Sequence, residues 1–330
     1  RRGDLIVKRV MAIIFVFCIL LGLSSSSFAA TEIKIGHVLT ADSAWHVNLE
    51  GFAKEVEEQT EGRVIFKIYP GSQLGNEKDL IEGLMLQTVD GGLIGGGSFQ
   101  SVDPKFGIEA LPYAWKDHET AYRAMDGEIG GFLLGILESK GIKGISWWEN
   151  GFRHITNNKR PIMVPKDMEG LKIRVTPDKM RLDTFKALGA SPIPINFGDL
   201  YTALQQGVVD AQENPLGIIY ANAFYEVHKY LSLSGHIWDS ALLCVNSPAW
   251  KRIPEQDKPV VEALAHKWRD RERQQIMDEE SDMLVKLKEK GMQANEVDKE
   301  AFKAAVQPVW NDYESVFGKD LMDLVRKYGE

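Results

Sequence analysis

Residues 170–215 read GLKIRVTPDKMRLDTFKALGASPIPINFGDLYTALQQGVVDAQENP, and this stretch decides the fold class. A strand pattern over 170–176 precedes a helix pattern over about 178–188. An extended Pro-X-Pro segment then leads to a second helix over about 198–206, and a short strand follows at 208–211. Strands and helices that alternate at this spacing predict a parallel α/β sheet.

The upstream sequence shows the same alternation. Strand patterns at 33–37 and 64–69 flank a helix that starts after Asp42-Ser43, and Asn76 caps a further helix. Residues 255–290 combine dense charge of both signs with apolar residues at helical spacing, which predicts one long solvated helix, followed by more helix to the C-terminus. The chain is therefore predicted to have an α/β two-lobe fold with a cleft between the lobes, which the long helix spans.

The predicted division of the chain has three parts. Residues 1–29 carry a basic start, an apolar run over 10–23 and a Ser-Phe-Ala cleavage site, which is typical of a secretion signal. Lobe I is predicted over 30–150 plus about 240–280, and lobe II over 151–239 plus about 281–330. We expect a periplasmic protein that is not inserted in the membrane once the signal is cleaved after Ala29.

The charge balance argues against nucleic-acid binding. The formal charge of −8 becomes −11 once the +3 of residues 1–29 is removed, so no basic surface for nucleic acid is expected. Only Cys244 remains after cleavage, in a Leu-Leu-Cys-Val setting. It cannot form an internal disulfide, and we interpret it as a buried small hydrophobic residue.

Arg174 is the first candidate for binding chemistry. It stands at the end of a predicted strand, just before Thr176-Pro177, where ligands of open α/β sheets bind. A guanidinium group can hold a carboxylate through two parallel hydrogen bonds. A structural ion pair is the alternative. Asn214, which Pro215 holds extended after the predicted strand 208–211, is the second candidate, because an amide can donate to a carboxylate and accept from a hydroxyl.

The chain resembles the solute receptors of tripartite ATP-independent periplasmic (TRAP) transporters. The resemblance is carried by the run Phe-Gly-Asp-Leu-Tyr-Thr-Ala-Leu-Gln-Gln-Gly-Val-Val-Asp-Ala-Gln-Glu-Asn-Pro at 197–215, by the strand Gly-Leu-Lys-Ile-Arg-Val at 170–175, and by Tyr-Pro-Gly-Ser-Gln-Leu-Gly at 69–75. It extends from about residue 32 to the C-terminal helices. It implies a two-lobe receptor that closes on an organic acid and passes it to a sodium-driven membrane permease.

The resemblance also implies roles for individual residues. Arg174 matches the arginine that pairs with the ligand carboxylate, and Asn214 matches the asparagine that supports this pairing. Arg153 matches a second arginine near the same carboxylate, Phe197 an aromatic residue that packs on the ligand, and Glu77 an acidic residue near the pocket. Receptors for sialic acid carry Glu and Arg in the loop after Val89-Asp90, where this chain reads GGLIGGGS over 91–98. This difference argues against sialic acid.

Two further residues are weaker candidates for ligand contact. His37 ends the first predicted strand, and Trp148 precedes Arg153. Polar groups on lobe I opposite the arginine favour a ligand with a carboxylate and hydroxyls, so a sugar acid such as a hexuronate is preferred. A C4-dicarboxylate or 2-oxo acid is the alternative, with Arg153 on the second carboxylate of a dicarboxylate.

The sequence offers little support for an enzyme. No histidine pairs with Cys, Asp or Glu at a metal-ligand spacing, and no G-x-S-x-G, G-x-G-x-x-G or P-loop motif is present. We therefore expect no metal, no cofactor and no catalysis. An exported enzyme that acts on a small acid is the distant alternative, and a structural or adhesive protein is weaker still.

Overall fold

Two mixed β-sheets organise the chain, of which the computed structural model describes residues 30–329. The predicted secretion signal over 1–29 lies outside the described residues. The first sheet has the strand order β2-β1-β3-β10-β4 and the second β11-β9-β5-β8-β6-β7. The strands are β1 (Thr31–Gly36), β2 (Val64–Tyr69), β3 (Gly91–Gly95), β4 (Ile142–Phe152), β5 (His154–Asn157), β6 (Lys172–Val175), β7 (Ser191–Pro194), β8 (Ala211–Asn214), β9 (Tyr230–Leu233), β10 (Trp238–Asn246) and β11 (Gln293–Glu296).

The helices cover the faces of these sheets and link them. They are α1 (Ala44–Gln59), α2 (Glu77–Leu86), α3 (His118–Met125), α4 (Glu128–Ser139), α5 (Lys179–Ala187), α6 (Phe197–Gln205), α7 (Leu216–Ala221), α8 (Ser247–Arg252), α9 (Lys258–Glu289), α10 (Lys299–Phe317) and α11 (Lys319–Gly329). Within residues 30–329, no helix is long and apolar enough to cross a membrane.

The local signals that predicted the first elements are all present. Ser43 accepts a hydrogen bond from the amide of His46 and caps α1, and Asn76 forms a capping box with Asp79 at the start of α2. The long helix is also confirmed as α9, which has 32 residues. It packs on α1 and β4 of the first sheet and on α7 beside the second, so it spans both sheets.

Several details of the local structure differ from the sequence interpretation. The short strand predicted at 208–211 is β8, Ala211–Asn214, because Gly207 has φ +69 and only after it does the chain become extended. The strands β9, β10 and β11 were not predicted, and the last of them, Gln293–Glu296, is a half-exposed edge strand with little hydrophobic pattern. The sheets are also mixed and not parallel throughout, because β10 runs antiparallel to β3 and β4 and β5 runs antiparallel to β8 and β9.

The glycine-rich segment after Val89-Asp90 begins as a strand and not as a loop. Gly91–Gly95 form β3, which is buried along its length between β1 and β10. A β-carbon on Gly91 would lie 2.4 Å from Cδ1 of Ile35 and 2.7 Å from the backbone oxygen of Cys244. Glycine is therefore required here because neighbouring strands occupy the space of a side chain.

The predicted lobe boundaries stay a prediction. The two sheets do indicate where the chain crosses from one to the other. It leaves the first sheet after Phe152 and enters the second at His154, and it returns between Leu233 and Trp238. The amide of Arg153 donates to the backbone oxygen of Ile237 at 2.9 Å, which holds the two crossing segments side by side. At the C-terminus, α10 packs on α5, whereas α11 packs on α3 and α4.

A histidine joins the long helix to the first sheet. Nδ1 of His118 lies 2.6 Å from Oε1 of Glu149 in β4, and its Nε2 lies 3.4 Å from Oε2 of Glu280 in α9. Burial disfavours the charged imidazole, but the hydrogen bonds to both carboxylates outweigh it and raise the pKa of His118 to about 10. The imidazolium thus bridges two carboxylates on separate elements.

We predict that His118→Asn destabilises the protein most at low pH. The pKa of His118 rises from its ordinary value of 6.5 to about 10 on folding, so its contribution is complete below pH 6.5 and is lost as the pH rises through 10. The expected loss of unfolding free energy is roughly 1–3 kcal/mol near pH 6. Denaturant unfolding at pH 6, 8 and 10 measures it, with the exposed Glu119→Gln as the control. A penalty that is constant over this range would contradict the charged bridge.

We also predict that Gly91→Ala destabilises the first sheet by about 1–3 kcal/mol, because the backbone of β10 cannot yield to the new methyl group. The matched control is Gly131→Ala in α4, where a β-carbon would meet nothing within 4 Å. The control should be neutral or slightly stabilising, since alanine favours a helix more than glycine does. Thermal unfolding of both variants makes the comparison, and equal midpoints would show that β3 has room for side chains.

Candidate ligand-binding site

A cavity of about 30 Å³ lies at the edge where strands of both sheets end. Leu39 after β1, Gly97 after β3 and Asn150 in β4 line it from the first sheet. Arg174 in β6 and Asn214 at the end of β8 line it from the second. A second cavity of about 60 Å³ shares Arg174 with the first. This is the position in which ligands of α/β sheets bind.

Arg174 is buried in the wall of this cavity and only partly satisfied. Its Nε donates to the backbone oxygen of Ile195 at 2.8 Å, and its Cζ lies 5.8 Å from the ring centroid of Phe197. Its Nη1 is buried and has no hydrogen-bond partner among the described residues. Burial lowers the pKa of Arg174 to about 10, so the group remains charged at neutral pH. A buried cation with a free donor is suited to an anion.

Arg153 also reaches the cavity, but protein carboxylates surround it. Its Nε and Nη2 bind the carboxylate of Glu213, the latter at 2.8 Å, and its Nη1 donates to Oδ2 of Asp239 at 3.0 Å. Its Nη2 also donates to Oδ1 of Asn214 at 3.0 Å, while Nδ2 of Asn214 donates to Gln212 at 2.5 Å. The geometry gives Arg153 and Asn214 structural partners, and their contact with ligand remains a prediction.

Arg181 is a third arginine of the cavity wall, which the sequence did not single out. It lies in the first turn of α5, where its Nη1 binds Asp178 and its Nη2 binds Asp239. Its Nε lies 3.8 Å from Oε1 of Glu213. Burial opposes its charge, but the attraction of Asp178 and Asp239 prevails and holds the pKa of Arg181 well above its ordinary value. Arg181 is therefore a permanent cation.

Glu77 lies on the first-sheet side and is held by the glycine-rich segment. The amide of Gly95 donates to its Oε1 at 2.9 Å, and Oγ of Ser98 donates to its Oε2 at 2.5 Å. Burial raises the pKa of Glu77 above its ordinary value. Gly95 and Ser98 thus bind a carboxyl group of the chain itself.

The adjacent glycines leave room for charged side chains. A β-carbon on Gly96 would lie 2.5 Å from Oε1 of Glu109, and one on Gly97 would lie 2.7 Å from Nη1 of Arg181. Buried charged groups thus pack directly on the backbone of this segment. Its glycines serve close packing.

His37 and Trp148 do not line the cavity. His37 is fully buried, with Nε2 at 3.1 Å from Nδ1 of His46, and burial together with His46 lowers its pKa to about 3. Trp148 is fully buried in the apolar core between the first sheet and its helices.

The sequence interpretation missed Asp239 and Arg181. Arg181 could have been found, because Asp178 caps a helix that starts directly after the strand of Arg174, and the first turn of such a helix faces the cleft. Asp239 carries no local signal, since it lies in β10 and reaches the cavity only through the order of the strands. Among the described residues, no group of three or more His, Cys, Asp or Glu is placed to hold a metal ion.

Comparison with known families gives one match that spans most of the chain. The family described as "Bacterial extracellular solute-binding protein, family 7" matches residues 35–316. A similar relative is the 2,3-diketo-L-gulonate-binding periplasmic protein of Escherichia coli, which is 30% identical over 311 residues, or 93% of this chain and 94% of the relative.

Solved structures with the same fold give the same picture. A TRAP periplasmic solute binding protein from Polaromonas, bound to D-erythronate, is 39% identical, with a TM-score of 0.87 over 90% of this chain and 98% of that one. A TRAP periplasmic solute binding protein from Sulfurospirillum deleyianum, with bound succinate, is 31% identical, with a TM-score of 0.86 over 90% of this chain and 99% of that one. These matches confirm the predicted fold class.

Proposed function

The chain belongs to bacterial extracellular solute-binding protein family 7, and on that premise we propose that its cavity captures a sugar acid by the carboxylate. The family and its solved relatives are solute receptors, so the chain is a carboxylate receptor of the TRAP type and not an enzyme.

Arg174 is the observation that supports this proposal most. Arg174 is 1% exposed and lines the cavity, and its Nη1 has no partner in the part of the chain that the structure describes. Such a charge is costly to bury alone, and a carboxylate would offset this cost with a charge-assisted hydrogen bond. Phe197 next to it would cover one face of the bound acid.

The ligands of relatives favour a hydroxylated acid. The Escherichia coli relative is named for 2,3-diketo-L-gulonate, and the Polaromonas structure is described with D-erythronate. The Sulfurospirillum deleyianum structure, described with succinate, supports the dicarboxylate alternative. Arg153 is already paired with Glu213 and Asp239, which disfavours it as the partner of a second ligand carboxylate.

The proposed mechanism is capture followed by closure. The acid would bind Arg174 on the second sheet and polar groups of the first sheet, so that only the closed arrangement offers both sets of contacts. A ligand shifts the equilibrium towards closure only through this difference in affinity. The closed receptor would then dock on a membrane permease in the periplasm, where the relatives are found.

We predict that Arg174→Ala weakens binding of D-erythronate by roughly 2–5 kcal/mol, because the ligand carboxylate then enters a buried site without its cation. Arg174→Lys should also lose much of the affinity, since an ammonium group cannot make two parallel hydrogen bonds. Isothermal titration calorimetry on the purified receptor measures both, after a thermal-shift screen of hexuronates, aldonates, dicarboxylates and 2-oxo acids has ranked the ligands.

The control is Lys172→Ala, which removes an exposed cation from the same strand, β6. It should bind as the wild type does. Native affinity in both Arg174 variants would assign the carboxylate to another residue. Conversion of the bound acid into a new product would overturn the receptor function itself.

A further inference from the structure

The wall of the 30 Å³ cavity contains two donors and two acceptors that have no hydrogen-bond partner within residues 30–329. The donors are Nη1 of Arg174 and Nε of Arg181, and the acceptors are Oδ1 of Asp239 and Oδ1 of Asn150. Unpaired buried polar atoms are uncommon, because each one forgoes the hydrogen bonds it had in water. We therefore expect the ligand to supply acceptors for the two donors and donors for the two acceptors.

Of the four unpaired atoms, Oδ1 of Asp239 is the most informative about the ligand. All the donors that reach it converge on Oδ2, namely Arg153 at 3.0 Å, Asn150 at 3.2 Å and Nη2 of Arg181. Oδ1 of the same carboxylate receives no hydrogen bond from the described residues, although Asp239 is only 3% exposed. A buried carboxylate oxygen in this position requires a hydrogen donor.

The amide of Asn150 has the same requirement. Its Nδ2 donates to Oδ2 of Asp239 at 3.2 Å. An oxygen there would face another acceptor, so this contact fixes which end of the amide is nitrogen. Oδ1 of Asn150 is then the free end, and it is a second acceptor without a donor among the described residues.

The chemistry of the free atoms selects the functional group that fits them. A carboxylate or a keto oxygen has no proton to donate to Asp239. An ammonium group has protons, but it would lie beside Arg153 and Arg181, which already contact the same carboxylate. A hydroxyl group donates through its proton and accepts through its lone pairs. It can therefore act as a donor to Asp239 or Asn150 and as an acceptor for Nε of Arg181.

We propose that Asp239, Asn150 and Arg181 form a hydroxyl-binding subsite opposite Arg174, which makes the receptor selective for hydroxy acids over acids of the same length without hydroxyls. This inference rests on the proposed function, because it takes the carboxylate to be bound at Arg174. Asp239 and Arg181 would then determine which acids bind, and neither is among the residues to which the family resemblance gave a role.

The test compares D-erythronate with butanoate, which has the same carbon chain and no hydroxyl, and includes succinate as an unhydroxylated dicarboxylate. Calorimetric titration of the wild-type receptor should give D-erythronate a Kd roughly 10- to 100-fold lower than that of butanoate, as expected for hydrogen bonds to a charged group. Equal affinities for D-erythronate and butanoate, with both losing affinity in Arg174→Ala, would overturn the inference and leave carboxylate capture at Arg174 intact. Tighter binding of succinate than of D-erythronate would overturn the inference and also favour the dicarboxylate alternative. If no carboxylate binds at all, the proposed function itself fails.

The matched variant is Asp239→Asn. The guanidinium groups of Arg153 and Arg181 should hold the amide oxygen in the place of Oδ2, so that an NH₂ group replaces Oδ1 and presents donors where the wild type presents an acceptor. The ratio of the two affinities should then fall towards one. Because the ratio is measured within one variant, a partial loss of folded protein does not change it.

Asn150→Ala offers a milder variant, since Asn150 is not part of an ion pair and its loss leaves Asp239 with both arginines. Its ratio should fall less than that of Asp239→Asn. Lys172→Ala should keep the wild-type ratio. A ratio that stays at the wild-type value in both cavity variants would contradict the subsite.

Discussion

The architecture of the cleft depends on one carboxylate oxygen, Oδ2 of Asp239, which two buried guanidinium groups share. Arg153 stands where the chain passes from the first sheet to the second, and Arg181 lies in α5 beside the second sheet, whereas Asp239 belongs to β10 of the first. The ion pairs therefore connect the two sheets at the crossing point. Arg153 also pairs with Glu213, and Arg181 also pairs with Asp178, so each buried arginine at the crossing point has two carboxylate partners.

This cluster also explains the glycine-rich segment. Glu109 and Arg181 pack against the backbone of Gly96 and Gly97 at distances that leave no space for a β-carbon, and Glu77 binds the amide of Gly95. The segment continues from β3, whose own glycines are enclosed by β1 and β10. Absence of side chains thus lets the central strand lie close to its neighbours and lets charged groups approach the floor of the cavity.

The sequence predicted the fold well where the signals are local. The caps at Ser43 and Asn76 and the long charged helix need only neighbouring residues, and the structure contains all three. The alternation of strands and helices predicted the two-lobe fold, and the family resemblance added Arg153, Phe197 and Glu77 to the candidates Arg174 and Asn214. The sequence could not show that GGLIG at 91–95 is a central strand, because its burial comes from strands far away in the chain. Asp239 was missed for the same reason, since its partners Arg153 and Arg181 are distant in sequence.

The placement of the free polar atoms connects selectivity with closure. Arg174 belongs to the second sheet, while Asn150 and Asp239 belong to the first. An acid without hydroxyls would bind Arg174 but leave Asn150 and Asp239 unpaired. Closing the cleft over such an acid would therefore bury two acceptors without donors. A hydroxy acid offers a partner to each side. In this arrangement the hydroxyl contributes affinity mainly in the closed state, and a difference in affinity between open and closed states is what a ligand needs to drive closure. Recognition of the hydroxyl and closure of the receptor would then be one event, because the same hydrogen bonds that identify the ligand also join the two sheets across it.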